Sequence, residues 1–172
     1  MSSTKVRLIS ACVAVSTMLL AATAPAQNAS ADDKAFVKSV IETNLAEIEL
    51  GHLALDKSSN AEVRQFAQHM IDAHTQLNDK MKGIAGHIGV SIPSGPSIKD
   101  HALKVKLEAE SGATFDKGYI SAMVNGHRNA DAAFKKEEAN GRDPAVKGIA
   151  SQAEPTVAEH LHMAQNLQGK LQ

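Results

Sequence analysis

One nine-residue pattern occurs twice in this chain, as Phe66-Ala-Gln-His-Met70-Ile71-Asp-Ala-His74 and, 53 residues later, as Tyr119-Ile-Ser-Ala-Met123-Val124-Asn-Gly-His127. Residues at i, i+4 and i+8 of an α-helix share a face, so each copy lines up an aromatic ring, a thioether and an imidazole along one stripe. A stripe of that composition belongs in a core. The chain must therefore bring at least two helices together so that each sends a histidine inward.

The rest of the sequence supplies the helices that such a core needs. Phe36, Val40, Thr43, Glu47, Leu50 and Ala54 recur at spacings of 4 and 3, the mark of a bundle seam, in a first helix expected from about Asp32-Asp33 to Lys57. Ser58-Ser59-Asn60 is a polar turn with a natural N-cap, and a second helix follows from about Ala61 to Ile88 with Ala67, Met70, His74, Leu77, Met81, Ile84 and Ile88 on its seam. Gly89 is its C-cap. Pro93, Gly95 and Pro96 then forbid continuous helix, leaving a two-dozen-residue connection with a short amphipathic piece from His101 to Glu110. A third long helix over Ala113–Asn140 carries Asp116, Ile120, Met123, His127, Ala130 and Phe134 on its seam. It is closed by Gly141 at C′, with Asp143 and Pro144 opening a fourth. That fourth helix keeps Val146, Ala150, Ala153, Val157, His160, Ala164, Leu167 and Leu171 in phase across Pro155, which predicts a kink rather than a break. The expected fold is all-α, an antiparallel four-helix bundle of the ferritin-like kind with a long crossover between the second and third long helices.

Residues 1–26 stand apart from this pattern. Lys5 and Arg7 precede an apolar run from Leu8 to Leu20, and Ala24-Pro-Ala26 offers a cleavage site, so this stretch reads as a secretory signal peptide. Residues 27–34 then form a flexible lead-in and 35–172 the bundle domain, exported to the periplasm or beyond. Cys12 lies inside the leader, so the mature chain has no thiolate ligand and no disulfide. Removing Lys5 and Arg7 from the 18 Lys+Arg leaves 16 against 19 Asp+Glu, a net charge of −3. There is no basic face for nucleic acid, no integral membrane segment in the mature chain, and with no Trp and one Tyr no stacking platform.

Each long helix puts one polar residue on its seam: Glu47, His74, His127 and His160. At ~1.5 Å per residue, counted from the two short turns, all four fall near the middle of the bundle, provided the crossover sets those turns at opposite ends. An acid and three imidazoles at one level must hydrogen-bond, pair or coordinate. One reading is a polar layer that fixes helix register, in a non-enzymatic envelope or stress-associated module with an envelope protein or a second copy of the chain as partner. The other is a metal centre for iron, zinc or copper, since imidazole and carboxylate without thiolate suit these ions. Met70 and Met123, one turn before His74 and His127, are alternative soft ligands or core filler. Glu159 and His162 form a Glu-x-x-His pair of the type used by di-iron bundles, but they flank the seam that His160 occupies. His52, His69, His87 and His101 fall off the seams and are expected in solvent. Nothing in the sequence assigns a catalytic residue: there is no nucleophile motif or phosphate-binding glycine loop.

The segments Leu45-Ala-Glu47-Ile-Glu-Leu-Gly51-His-Leu-Ala54, Val63-Arg-Gln-Phe66-Ala through His74, Phe115-Asp116 with Tyr119, Met123-Val-x-x-His127, and Pro155 with Glu159-His160-Leu161 resemble domain of unknown function family 4142. The resemblance spans about Ala35 to Leu167. It implies an exported bacterial protein with a ferritin-like four-helix domain, and it places Glu47, His74, His127 and His160 at matching seam positions. Members often carry Asp-His where this chain has Ala73-His74, so any orienting or ligating part played by that aspartate is absent here.

Overall fold

The structure, a computed structural model, describes residues 29–172, and all regular structure among them is helical: α1 (Ala31–Lys57), α2 (Ala61–Ile88), α3 (Ile98–Glu108), α4 (Gly112–Asn140) and α5 (Pro144–Lys170). The signal-peptide reading concerns residues that lie outside these. Helix starts follow local chemistry. Asn60 accepts from the amides of Glu62 and Val63, and Asp143 from those of Ala145 and Val146, with Pro144 at the first helical position. Each such cap is worth about 1 kcal/mol.

Where boundaries differ from expectation, a cap explains the difference. α1 begins at Ala31 because Ser30 and Asp33 form a reciprocal capping box, so the helix takes in four residues of the stretch read as a flexible lead-in. α3 begins at Ile98 rather than His101 because the Ser97 hydroxyl accepts from the Asp100 amide. Gly89 ends α2 in the left-handed conformation as expected, with φ 68°. Gly141 does not: its φ is −56°, and glycine is needed there because a Cβ would meet the Glu137 backbone oxygen at 2.7 Å. α5 continues through Pro155 without interruption.

α1 packs on α2 and α4 on α5 as antiparallel hairpins, and the hairpins join through α2 with α5 and α1 with α4. The two short turns lie at opposite ends. The Arg142 amide, in the α4–α5 turn, donates to Asp33 at the start of α1, while Lys170, at the end of α5, pairs with Glu62 at the start of α2. The connection between α2 and α4 therefore runs the length of the bundle along α1, with Lys104 of α3 bonded to Glu49 and Lys57 Nζ donating to the Glu108 carbonyl. No helix among the described residues is long and apolar enough to cross a membrane.

This topology makes α2 and α4 run parallel on the bundle diagonal, which brings the two copies of the repeated pattern level. Phe66 meets Tyr119 edge to face at 6.2 Å between ring centroids, and two turns further along His74 faces His127 at 5.5 Å. The buried apolar residues split into two clusters. One gathers Leu50, Phe66, Met70, Tyr119, Met123 and Leu167, the other Val37, Ile41, Met81, Phe134, Val146 and Val157. Each large aliphatic or aromatic side chain so buried contributes about 1.5–3 kcal/mol. In all four long helices the seam polar residue falls between these clusters, forming a polar waist.

Candidate metal centre

Glu47 of α1, His74 of α2, His127 of α4 and His160 of α5 converge at that waist. All four are at most 4% exposed. The three imidazole centroids form a near-equilateral triangle with separations of 5.5, 5.3 and 5.3 Å, and one ring nitrogen from each lies within 4.8 Å of those of the others. Glu47 Oε2 is 2.7 Å from His74 Nε2, and its Oε1 is 3.6 Å from His127 Nδ1.

The remaining hydrogen bonds orient the rings. His74 Nδ1–H donates to Asn44 Oδ1 at 2.9 Å, and His127 Nδ1–H donates to the Met123 carbonyl at 3.0 Å. These contacts leave the Nε2 of each ring for something else. His127 Nε2 has no partner; His74 Nε2, although close to Glu47, has no aligned hydrogen bond; neither nitrogen of His160 has any partner at all. A ligating histidine characteristically donates its other N–H to a carbonyl or carboxylate, and Asn44 and the Met123 backbone supply that support here.

The electrostatics favour a cation at this level. Burial pushes the Glu47 carboxyl up, but the imidazoles of His74, His127 and His160 more than reverse it and hold Glu47 at about 2. Burial, followed by the imidazoles of His74, His127 and His69, holds His160 down at about 3, so at neutral pH it is a neutral ring with a free lone pair. Burial and the Glu47 carboxylate push the Tyr119 hydroxyl up, and that hydroxyl also lacks a partner. A buried carboxylate needs positive charge beside it, whether from protonated imidazoles or from a bound cation. The donor set of three imidazoles and one carboxylate fits a transition-metal ion.

Two clefts lead toward the centre. A cleft of about 400 Å³ between α1 and α4, roofed by Ser97, Lys99 and Asp100 of the crossover, ends at Asn44, Glu47, His74 and His127. A smaller cleft of about 140 Å³ between α2 and α5 ends at His74 and His160.

The other candidates fare differently. Met70 and Met123 are buried in the apolar cluster, and the Met123 backbone carbonyl accepts from His127. Glu159 and His162 are exposed, and His162 Nδ1 bonds Asn166, so the Glu-x-x-His pair does not join the centre; it lies on the outer face of the seam that turns His160 inward. Sequence reasoning misses two residues beside the centre. Asn44 lies three residues before Glu47, the spacing of a same-face neighbour, and that signal was available. His69 is exposed as expected, yet its ring centroid is 5.1 Å from that of His160, a proximity only the α2–α5 packing creates.

A helical bundle with a long crossover between its second and third long helices has the topology of ferritin-like folds. The chain belongs to the DUF4142 family, a domain of unknown function, whose profile matches residues 19–167. Solved structures with a similar fold include a DUF305 fragment from Deinococcus radiodurans, with a TM-score of 0.73 at 17% identity over 83% of this chain and 98% of that one. CopM in its Cu(II)-bound form aligns with a TM-score of 0.69 at 15% identity over 81% and 97%. A spore-coat candidate from Bacillus halodurans aligns with a TM-score of 0.67 at 11% identity over 83% and 89%. At these identities the likeness is one of fold. No curated protein matches the chain.

Proposed function

We propose that this chain is an exported metal-binding bundle in which His74, His127, His160 and Glu47 hold one transition-metal ion. The observation that carries the reading is the set of unpaired ring nitrogens on three buried histidines gathered around an ionised carboxylate. Iron, zinc and copper all accept this donor set, and copper(II), which binds N/O sites more tightly than the other common divalent ions, is the first to test. The Cu(II) carried by CopM, a neighbour in fold, points the same way. Elemental analysis of untagged protein from the envelope fraction tests the reading directly. About one equivalent of copper, zinc or iron, lost in the His127→Leu variant, supports it. Protein that carries no metal, and takes up none after chelator treatment and dialysis against each ion, overturns it.

A second reading has one observation in its favour. The large apolar residues most exposed among the described ones, Ile92, Ile98 and Val105, all lie on the crossover, and Ile98 is 92% exposed. An interaction module would present such residues to an envelope protein or a second copy. Replacing Ile92, Ile98 and Val105 together by serine then abolishes partner recovery or self-association while leaving metal content unchanged.

A further inference from the structure

His69 takes no part in the four-residue centre, but its position bears on how an ion gets there. Its ring is solvent-exposed on α2, and it meets the His160 ring edge on at 5.1 Å between centroids. His160 is 2% exposed with both nitrogens unpaired, so one of them can face the centre while the other remains open to a second contact. The wider α1–α4 cleft leads to Glu47, His74 and His127 past Lys99 and Asp100, with no solvent-exposed histidine along it, and the α2–α5 cleft carries Lys80. His69 is thus the exposed imidazole that lies against a histidine of the centre.

We propose that His69 and His160 form an outer metal site on the α2–α5 face, through which a borderline or soft transition-metal cation exchanges between solvent and the buried centre. This rests on the metal-binding reading above. The step is a ligand exchange with no change of oxidation state: the ion trades water for the His69 imidazole at the surface and then gains the outward nitrogen of His160. As His69 lets go, rotation of the His160 ring turns that nitrogen inward, where His74, His127 and Glu47 complete the set. Passing the ion between ligands avoids stripping it of all its donors before it enters a dry core, the barrier that makes an unassisted buried ion costly. His69 is thus a relay, and in the loaded protein it is free.

A relay accelerates loading and release by the same factor and leaves the final affinity where it was, which separates it from a static ligand. The chain carries its own optical reporter, because Tyr119 is its only tyrosine, there is no tryptophan, and the Tyr119 hydroxyl lies within the influence of Glu47. Stopped-flow quenching of that fluorescence by glycine-buffered copper(II), followed by release into EDTA, reads both directions. His69→Ala should slow loading and release each by about tenfold or more, with stoichiometry unchanged and equilibrium affinity within about threefold, since a tenfold rate change is 1.4 kcal/mol of barrier. His69→Asp, which restores a metal-binding side chain, should recover most of the rate, and His162→Ala should exchange at the wild-type rate. Wild-type rates in His69→Ala overturn the relay. So does a loss of affinity without slower release, which makes His69 a static ligand instead. If wild-type protein takes up no copper, zinc or iron by dialysis, the metal-binding reading fails and the relay with it.

Discussion

Two glutamates in this bundle are buried to nearly the same degree, 4% exposed for Glu47 and 6% for Glu137, yet the fold drives them in opposite directions. Glu47, at the waist, is held at about 2 despite its burial because three imidazoles surround it. Glu137, at the end of α4, is pushed up to about 7 by burial, by its hydrogen bond to Asp33 and by the charges of Asp33 and Asp32. Asp33 itself is held at about 2: burial pushes it up, and hydrogen bonds from the backbone of Arg142 and Ser30 and from Glu137 outweigh it. Depth therefore does not set the charge of a buried acid; its neighbours do. The end cluster uses its polarity to close a turn, with Asp33 accepting the amides of Ser30, Arg142 and Asp143. The waist spends comparable polarity and leaves ring nitrogens of His74, His127 and His160 without partners.

The sharpest way to break this contrast is to remove one waist imidazole and ask whether the cost depends on metal. With free metal at about 100 times its dissociation constant, the wild-type fold gains ~2.7 kcal/mol, and His127→Leu should forfeit nearly all of it. Without metal the same variant should lose only about 1–3 kcal/mol, from the groups it strands, and the double variant Glu47→Leu/His127→Leu should recover much of that. Melting curves with and without zinc, iron and copper decide; equal losses with and without every ion would make the waist a mere polar layer. At the other end, Asp33→Ala should cost about 1–3 kcal/mol by leaving buried amides without an acceptor. That cost should be the same in metal-loaded and metal-free protein when followed by denaturant midpoint, and a metal-dependent loss would show that the two regions are coupled.

A smaller effect is expected from pH. The folded state raises Glu137 from 4.5 to about 7, so its contribution is present below pH 4.5 and declines as pH rises toward 7. The folded state lowers His160 from 6.5 to about 3, so its contribution is present above pH 6.5 and declines as pH falls toward 3. Between pH 4.5 and 6.5 the two slopes oppose each other. Glu137→Gln, which keeps the neutral form, should make the metal-free protein's stability rise more steeply with pH across that window. Denaturation at pH 5, 6 and 7 measures it, and an unchanged slope would mean that Asp33 and Glu137 do not share a proton.

Much of this was legible in the sequence because it is periodic. The spacing of 4 and 3 marks the long helices, the prolines and glycines mark the crossover, and one polar residue on each apolar seam marks a common level. What escaped notice depends on which helix meets which. On α1 the seam positions Val40, Glu47, Leu50 and Ala54 are buried together with Val37 and Ile41, which widen the apolar stripe, whereas Phe36 and Thr43 are half-buried and Asn44 takes an inward place. A stripe wide enough for a bundle helix has two edges, and composition alone does not say which edge faces the diagonal partner. The same ambiguity hid Asn78, buried on α2 where Leu77 was expected. The end cluster was invisible for a different reason. Asp33 reads as a helix-start carboxylate and Glu137 as a surface acid, and only a contact over a hundred residues of chain turns them into a pair.

The long crossover has a consequence for how such a protein can arise. In a hairpin, a copied segment runs back against its original, so the ring at one end of the copy meets the histidine at the other. Here the connection returns the chain to its starting end, and a copied segment runs alongside its original, ring beside ring and imidazole beside imidazole. Tandem copying of one helical stretch can then produce both halves of a symmetric pocket with no further change, so a cavity of matched residues costs the lineage little more than a loop long enough to make the return trip.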